Sequence, residues 1–251
     1  MRTALDHRFW YWHAVLPAAG LALIAVLFTV TDLDVALAHA WAYEAGSGWL
    51  GRRAWWAEEL LHSGGRNLVR AVAAVGLVAA LVAPKRSWQR RIGAYLFASI
   101  TCSALLAGAL KQLTNVDCPW DLQGFGGTRP YVHVFADRPD ALPHAACFPG
   151  AHAASGFALF AFYFAWRDRS TRLARLGLAA GAAAGIAFSI AQQARGAHFL
   201  SHDLSSALLS WFACVLLYVT MLRPAAAAAG VRAAGSPASP VPGRAHEEVL
   251  S

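Results

Sequence analysis

The chain has 251 residues, of which 57% are hydrophobic and only 14% charged. A soluble domain carries roughly a quarter charged residues, so an ordinary water-soluble globule is excluded. The apolar residues gather in blocks of about 20, each long enough to cross a ~30 Å hydrocarbon core as a helix.

In chain order the first block covers 12–31. It lacks an A-x-A-type exit site and so reads as a retained span and not as a cleaved leader. A long segment, 32–66, follows; it contains "WLGRRAWWAEELLHSGGRNL". Residues 50–61 read there as an amphipathic helix with a Trp55–Trp56 pair, suited to lie in the outer headgroup layer. Spans are expected at 67–83 and 92–112, then a second long segment at 113–149, then spans at 150–166, 176–196 and 204–222. The remainder, 224–251, is mostly Ala, Pro, Gly and Ser and reads as a disordered tail. The expectation is an all-α, polytopic protein: one six-helix membrane domain over 1–223 and a cytoplasmic tail.

The charges orient these spans. With the N-terminus inside, 13 basic residues fall on the inner side and 8 on the outer, whereas acids divide 4 inside and 10 outside. The short segments "KRSWQRR" and "RDRSTRLAR" carry the strongest bias, as the positive-inside rule requires. The net charge of +7 is therefore mainly topology and not a nucleic-acid signal. Both termini are expected in the cytoplasm.

Ionisable residues inside spans are costly and mark function. Lys111 ends the third span, His152 opens the fourth after Pro149, Gly150 and Ala151, and His198 closes the fifth. All three face the outer side in this topology. A transporter would place such groups near the midplane. His198 and His202 are four apart, so they share a face if one helix runs through both. There is no H-E-x-x-H pattern of a zinc protease, and no metal or other cofactor is expected.

Taken together, "LKQLTNVDCPWDL", "CFPGAHA" and "QQARGAHFLSHDL" resemble the type 2 phosphatidic acid phosphatase superfamily, in its bacterial membrane-associated branch. That family reads Lys-x6-Arg-Pro, then Pro-Ser-Gly-His, then Ser-Arg-x5-His-x3-Asp. Here Lys111 is followed by Cys118 and Pro119, Gly150 and Ala151 stand where the family has Ser-Gly, and Gln192 occupies the third-motif arginine position. His202 stands four residues after His198, with Asp203 one later.

The resemblance implies an acid-phosphatase-like helical core and a metal-independent phosphatase. Its substrate would be a membrane lipid phosphate or diphosphate: lipid A, undecaprenyl diphosphate, phosphatidylglycerol phosphate or phosphatidic acid. His198 would be the nucleophile that forms a phospho-histidine, with Asp203 or His202 orienting it. His152 would be the general acid. Lys111 and Arg195, with the backbone N–H groups at Gly150 and Ala151, would hold the phosphate; Arg129 or Arg66 would replace the missing arginine. The implied setting is the bacterial inner membrane, with the site on the periplasmic face. An oxidising periplasm permits a Cys118–Cys147 disulfide that staples the Lys111 motif to the His152 motif. A lipid phosphotransferase with the same intermediate, and a non-catalytic lipid-binding protein, are the competing readings. Oligomeric state is not readable.

Overall fold

The computed structural model describes residues 7–134 and 136–223; the tail expected at 224–251 lies outside them. Helix α1 (His7–Val30) is followed by a short helix, α2 (Leu33–Leu37), and two two-residue antiparallel strands, β1 (Tyr43–Glu44) and β2 (Gly48–Trp49). The long helices are α3 (Trp56–Val82), α4 (Trp88–Thr114), α6 (Thr171–Ala194) and α7 (Leu200–Leu222), with α5 (Ala151–Trp166) between α4 and α6. The two arginine-rich segments start their helices with serine caps. The side chain of Ser87 accepts from Arg90 N–H, and that of Ser170 from Leu173 N–H.

Five helices of the described chain are long and apolar enough to cross a membrane: α1, α3, α6, α7 and the one that begins at Trp88. The segment expected as a span at 150–166 is α5, which is shorter and tightens into a 3-10 turn at Ala158–Phe160. At 1.5 Å per residue it reaches only about 24 Å. A second difference lies at 50–61. No separate surface helix forms there: after a turn at 50–53 the chain winds from Trp56 directly into α3. The first turns of α3, Trp56–Gly64, are wide, with i→i+5 bonding. Wide turns of this kind recur at functional sites.

Helix α5 sits against α4, α6 and α7. Gly177, Gly181 and Gly185 form a stripe on α6 at four-residue spacing, and Cβ atoms there would strike Phe162, Phe160 and Phe157 of α5. Small residues at this spacing let two membrane helices approach backbone to backbone. Phe157, Phe160 and Phe164 then share a buried cluster with Phe9, Tyr95, Cys214 and Tyr218.

At one end of the helices α2, the two strands and the described residues of 115–150 form a cap. Its centre is aromatic: Trp49 stacks on Phe125 at 5.0 Å, and Tyr43 and Phe199 close around them. Asp117 is buried and accepts from both Arg129 and Arg138, while Cys118 and Cys147 are joined in a disulfide. This long segment is thus cross-linked at its base.

Candidate active site

Helix α6 ends in a Schellman motif. Ala197 N–H bonds the Gln192 carbonyl, Gly196 N–H bonds the Gln193 carbonyl, and Gly196 takes φ +78°. Left-handed backbone of this kind favours glycine at the position after a helix. Side chains are barred there twice over, because a Cβ on Gly196 would lie 2.4 Å from Trp49. The turn leaves residues 197–199 outside either helix, with Phe199 extended, before α7 begins. His198 therefore stands two residues ahead of the helix and does not share a helical face with His202.

This settles the geometry of the one-residue offset in the third motif. Within a helix a shift of one residue rotates a side chain by ~100°; ahead of a helix the non-helical stretch absorbs it. His198 Nδ1 donates to Asp203 Oδ1 at 2.8 Å, and Gln193 Nε2 donates to Asp203 Oδ2 at 2.8 Å. With its proton on Nδ1, neutral His198 keeps a bare Nε2. His202 points elsewhere. It is buried edge-on to Phe148 and Phe199, and its Nδ1 has no partner among the described residues.

Gly150, ahead of α5, lies directly beneath the His198–Asp203 pair. A Cβ there would come within 2.5 Å of His198 Nδ1 and Cε1 and 2.9 Å of Asp203 Oδ1. The absent second-motif serine and the displaced aspartate thus have a shared geometric basis. His152, in the first turn of α5, stacks on Phe188 at 4.5 Å and donates from Nε2 to the Leu61 carbonyl at 3.1 Å.

One residue of the site is new to the structure. His62, in the wide turns of α3, places its ring centroid 4.6 Å from that of His152. Gln192 Nε2 donates to His62 Nδ1 at 2.8 Å, Arg195 Nη1 donates to Gln192 Oε1 at 2.8 Å, and Arg195 Nη2 pairs with Glu58 at 3.0 Å. In sequence His62 sits in "HSGGRNL", which reads as loop because the two glycines break a helical pattern; only Arg66 stands out there. Arg66 is exposed on the same side, within electrostatic reach of His62 and His152.

Lys111 is half-buried near the end of α4 and has no ion-pair partner among the described residues. Arg129 is elsewhere engaged, tied to Asp117 and 3.8 Å from Asp121 in the cap. The structure therefore gathers His198, Asp203, His152, Arg195 and Arg66, ties Arg129 to Asp117 in the cap, and, against expectation, commits the Gly150 N–H to the His202 carbonyl at 3.4 Å.

The start of α7 is held from a distance. Asp34 of α2 accepts from Ser201 N–H at 3.0 Å and from the Ser201 hydroxyl, satisfying donors that a helix leaves open at its N-terminus. Burial pushes the Asp34 carboxyl up to about 6, against the pull of the two Ser201 bonds, and nearby Asp203 raises it further.

The sequence model described as the PAP2 superfamily matches residues 92–225, more than half of the chain. No curated protein and no solved structure matches it. The matched segment contains Lys111, His152, Arg195, His198 and Asp203, and begins after Asp34, Glu58, His62 and Arg66.

Proposed function

The chain belongs to the PAP2 superfamily, and on that premise we propose that it is an integral-membrane phosphatase acting on a lipid phosphate or diphosphate at the outer, periplasmic face. The observation that carries the reading is the His198–Asp203 hydrogen bond beside His152. Asp203 fixes the tautomer that leaves Nε2 of His198 bare, and a nucleophilic histidine needs that nitrogen.

In the first step Nε2 attacks phosphorus and the bond to the lipid oxygen breaks. Protonated His152 gives its proton to the departing oxygen. Its Nε2–H is committed to the Leu61 carbonyl, so Nδ1 is the nitrogen that carries the exchangeable proton. In the second step neutral His152 takes a proton from water, whose oxygen attacks the phospho-histidine and releases inorganic phosphate. Arg195, Lys111 and Arg66, with the N–H group at Ala151, stabilise the charge on the phosphoryl oxygens.

The test is phosphate release by detergent-purified protein from lipid A, undecaprenyl diphosphate, phosphatidylglycerol phosphate and phosphatidic acid, with chelator present. Release by wild type but not by His198→Ala, with an alkali-stable, acid-labile phospho-enzyme, is the expected result. Folded wild type that releases phosphate from none of the four would overturn the reading. Appearance of the phosphate on a second lipid in place of water would identify a phosphotransferase.

A further inference from the structure

The site is short of arginines. Cys118 and Gln192 occupy the two positions where the family pattern has them, and Arg129 is tied into the cap by Asp117. Gln192 is nonetheless buried, 3% exposed, in the middle of a hydrogen-bonded chain. Its amide orientation follows from its neighbour. An arginine only donates, so the atom that meets Arg195 Nη1 is the oxygen, and the atom 2.8 Å from His62 Nδ1 is the NH2 group. An NH2 group donates, so Nδ1 of His62 accepts and, in the neutral ring, the proton sits on Nε2. That Nε2–H has no partner among the described residues, and the ring is half-buried against His152.

We infer that His62 is a phosphoryl-oxygen ligand, a neutral imidazole whose Nε2–H is aimed at bound phosphate by the Glu58–Arg195–Gln192 chain. Glu58 orients Arg195, Arg195 orients Gln192, and Gln192 selects the tautomer of His62. The donor that the family pattern draws from an arginine on α6 comes here from a histidine on α3, relayed through the glutamine in the arginine's place. The inference rests on the proposed phosphatase reading only in placing a phosphate in the site.

Binding of inorganic phosphate to the detergent-purified full chain, by titration calorimetry, tests it apart from turnover. Hydrogen bonds to charged groups are worth about 1.5–3 kcal/mol, so His62→Ala weakens the phosphate Kd by about tenfold or more. His62→Gln, whose carboxamide restores an N–H donor, recovers most of the affinity. Should His62→Ala fail to fold, His62→Phe fills the same space without a donor and takes its place. Nitrogen-15 NMR of labelled histidines supplies the readout that a packing role would not move. Wild-type His62 shows the Nε2–H tautomer, and Gln192→Met mixes the two.

An unchanged phosphate Kd in the folded donor-less variant, or an Nδ1–H tautomer in wild type, would overturn the inference. Phosphate binding that depends on His62 without turnover of any lipid would overturn the phosphatase reading alone. Turnover with equal phosphate affinity in wild type and variant would overturn the role of His62 alone.

Discussion

Gly150→Ala is the smallest change that tests the geometry of the nucleophile. The added carbon would lie 2.5 Å from two ring atoms of His198, and ordinary contact begins at 3.4 Å, so the ring must retreat by about 0.9 Å (3.4 − 2.5). The 2.8 Å bond to Asp203 Oδ1 cannot follow, because the same carbon would lie 2.9 Å from that oxygen. A misplacement near 1 Å costs on the order of 100-fold in rate, or about 3 kcal/mol of barrier. Overpacking alone destabilises by about 1–3 kcal/mol, so the protein remains foldable. The assay is kcat and KM for lipid-phosphate hydrolysis, with thermal unfolding measured beside them. The expected result is a fall in kcat of about 100-fold with KM little changed. Gly150→Ser, which installs the serine of the family pattern, falls at least as far. Wild-type kcat in either folded variant would refute the argument that His198 and Asp203 pack on a bare Cα.

Asp34 predicts a stability difference that depends on pH. Its folded carboxyl is raised to about 6 from 3.8, so the folded state binds the proton more tightly, and this group's contribution falls as pH rises from about 4 to about 6. The full difference is about 3 kcal/mol; thermal unfolding of wild type against Asp34→Asn should show the wild-type disadvantage growing over that window, and a constant difference would contradict the burial argument. Replacing Cys118 and Cys147 together by serine opens a loop with a sequence separation of 29 and should cost about 3–4 kcal/mol, read as a lower unfolding temperature; an unchanged one would show that the cap does not depend on the bond. Arg129→Ala separates its two readings: as a clamp on Asp117 it lowers stability by about 1–3 kcal/mol with KM unchanged, whereas a large rise in KM at unchanged stability would return it to the phosphate.

The sequence reads well where one rule acts locally. Blocks of apolar residues mark the long helices. His152 and His198 stand out by being ionisable in apolar surroundings, and the fold brings them within electrostatic reach of each other. It reads poorly where two distant segments meet. Whether Asp203 or His202 orients His198 depends on where α7 starts, and that start is set by Gly196 against Trp49 and by Asp34 bonded to Ser201, contacts that no local pattern contains. His62 is hidden for the same reason, since its partner Gln192 lies 130 residues away. The separate surface helix expected at 50–61 is absent because the chain winds from Trp56 straight into a membrane-length helix. Within that stretch Glu58 turns toward Arg195.

The bond from Asp34 to Ser201 spans 167 residues, and this has a consequence for biogenesis. As the ribosome delivers the chain, Asp34, Glu58 and His62 emerge with the first membrane segments, but every group they hold sits at or beyond Gln192. A nascent chain that ends after α5 has Asp34, Glu58, His62 and His152, yet no nucleophile and nothing for Asp34 to cap. The partners of Glu58 and His62 arrive at the end of α6, and the site is complete only when α7 follows and its first turn meets the Asp34 carboxylate.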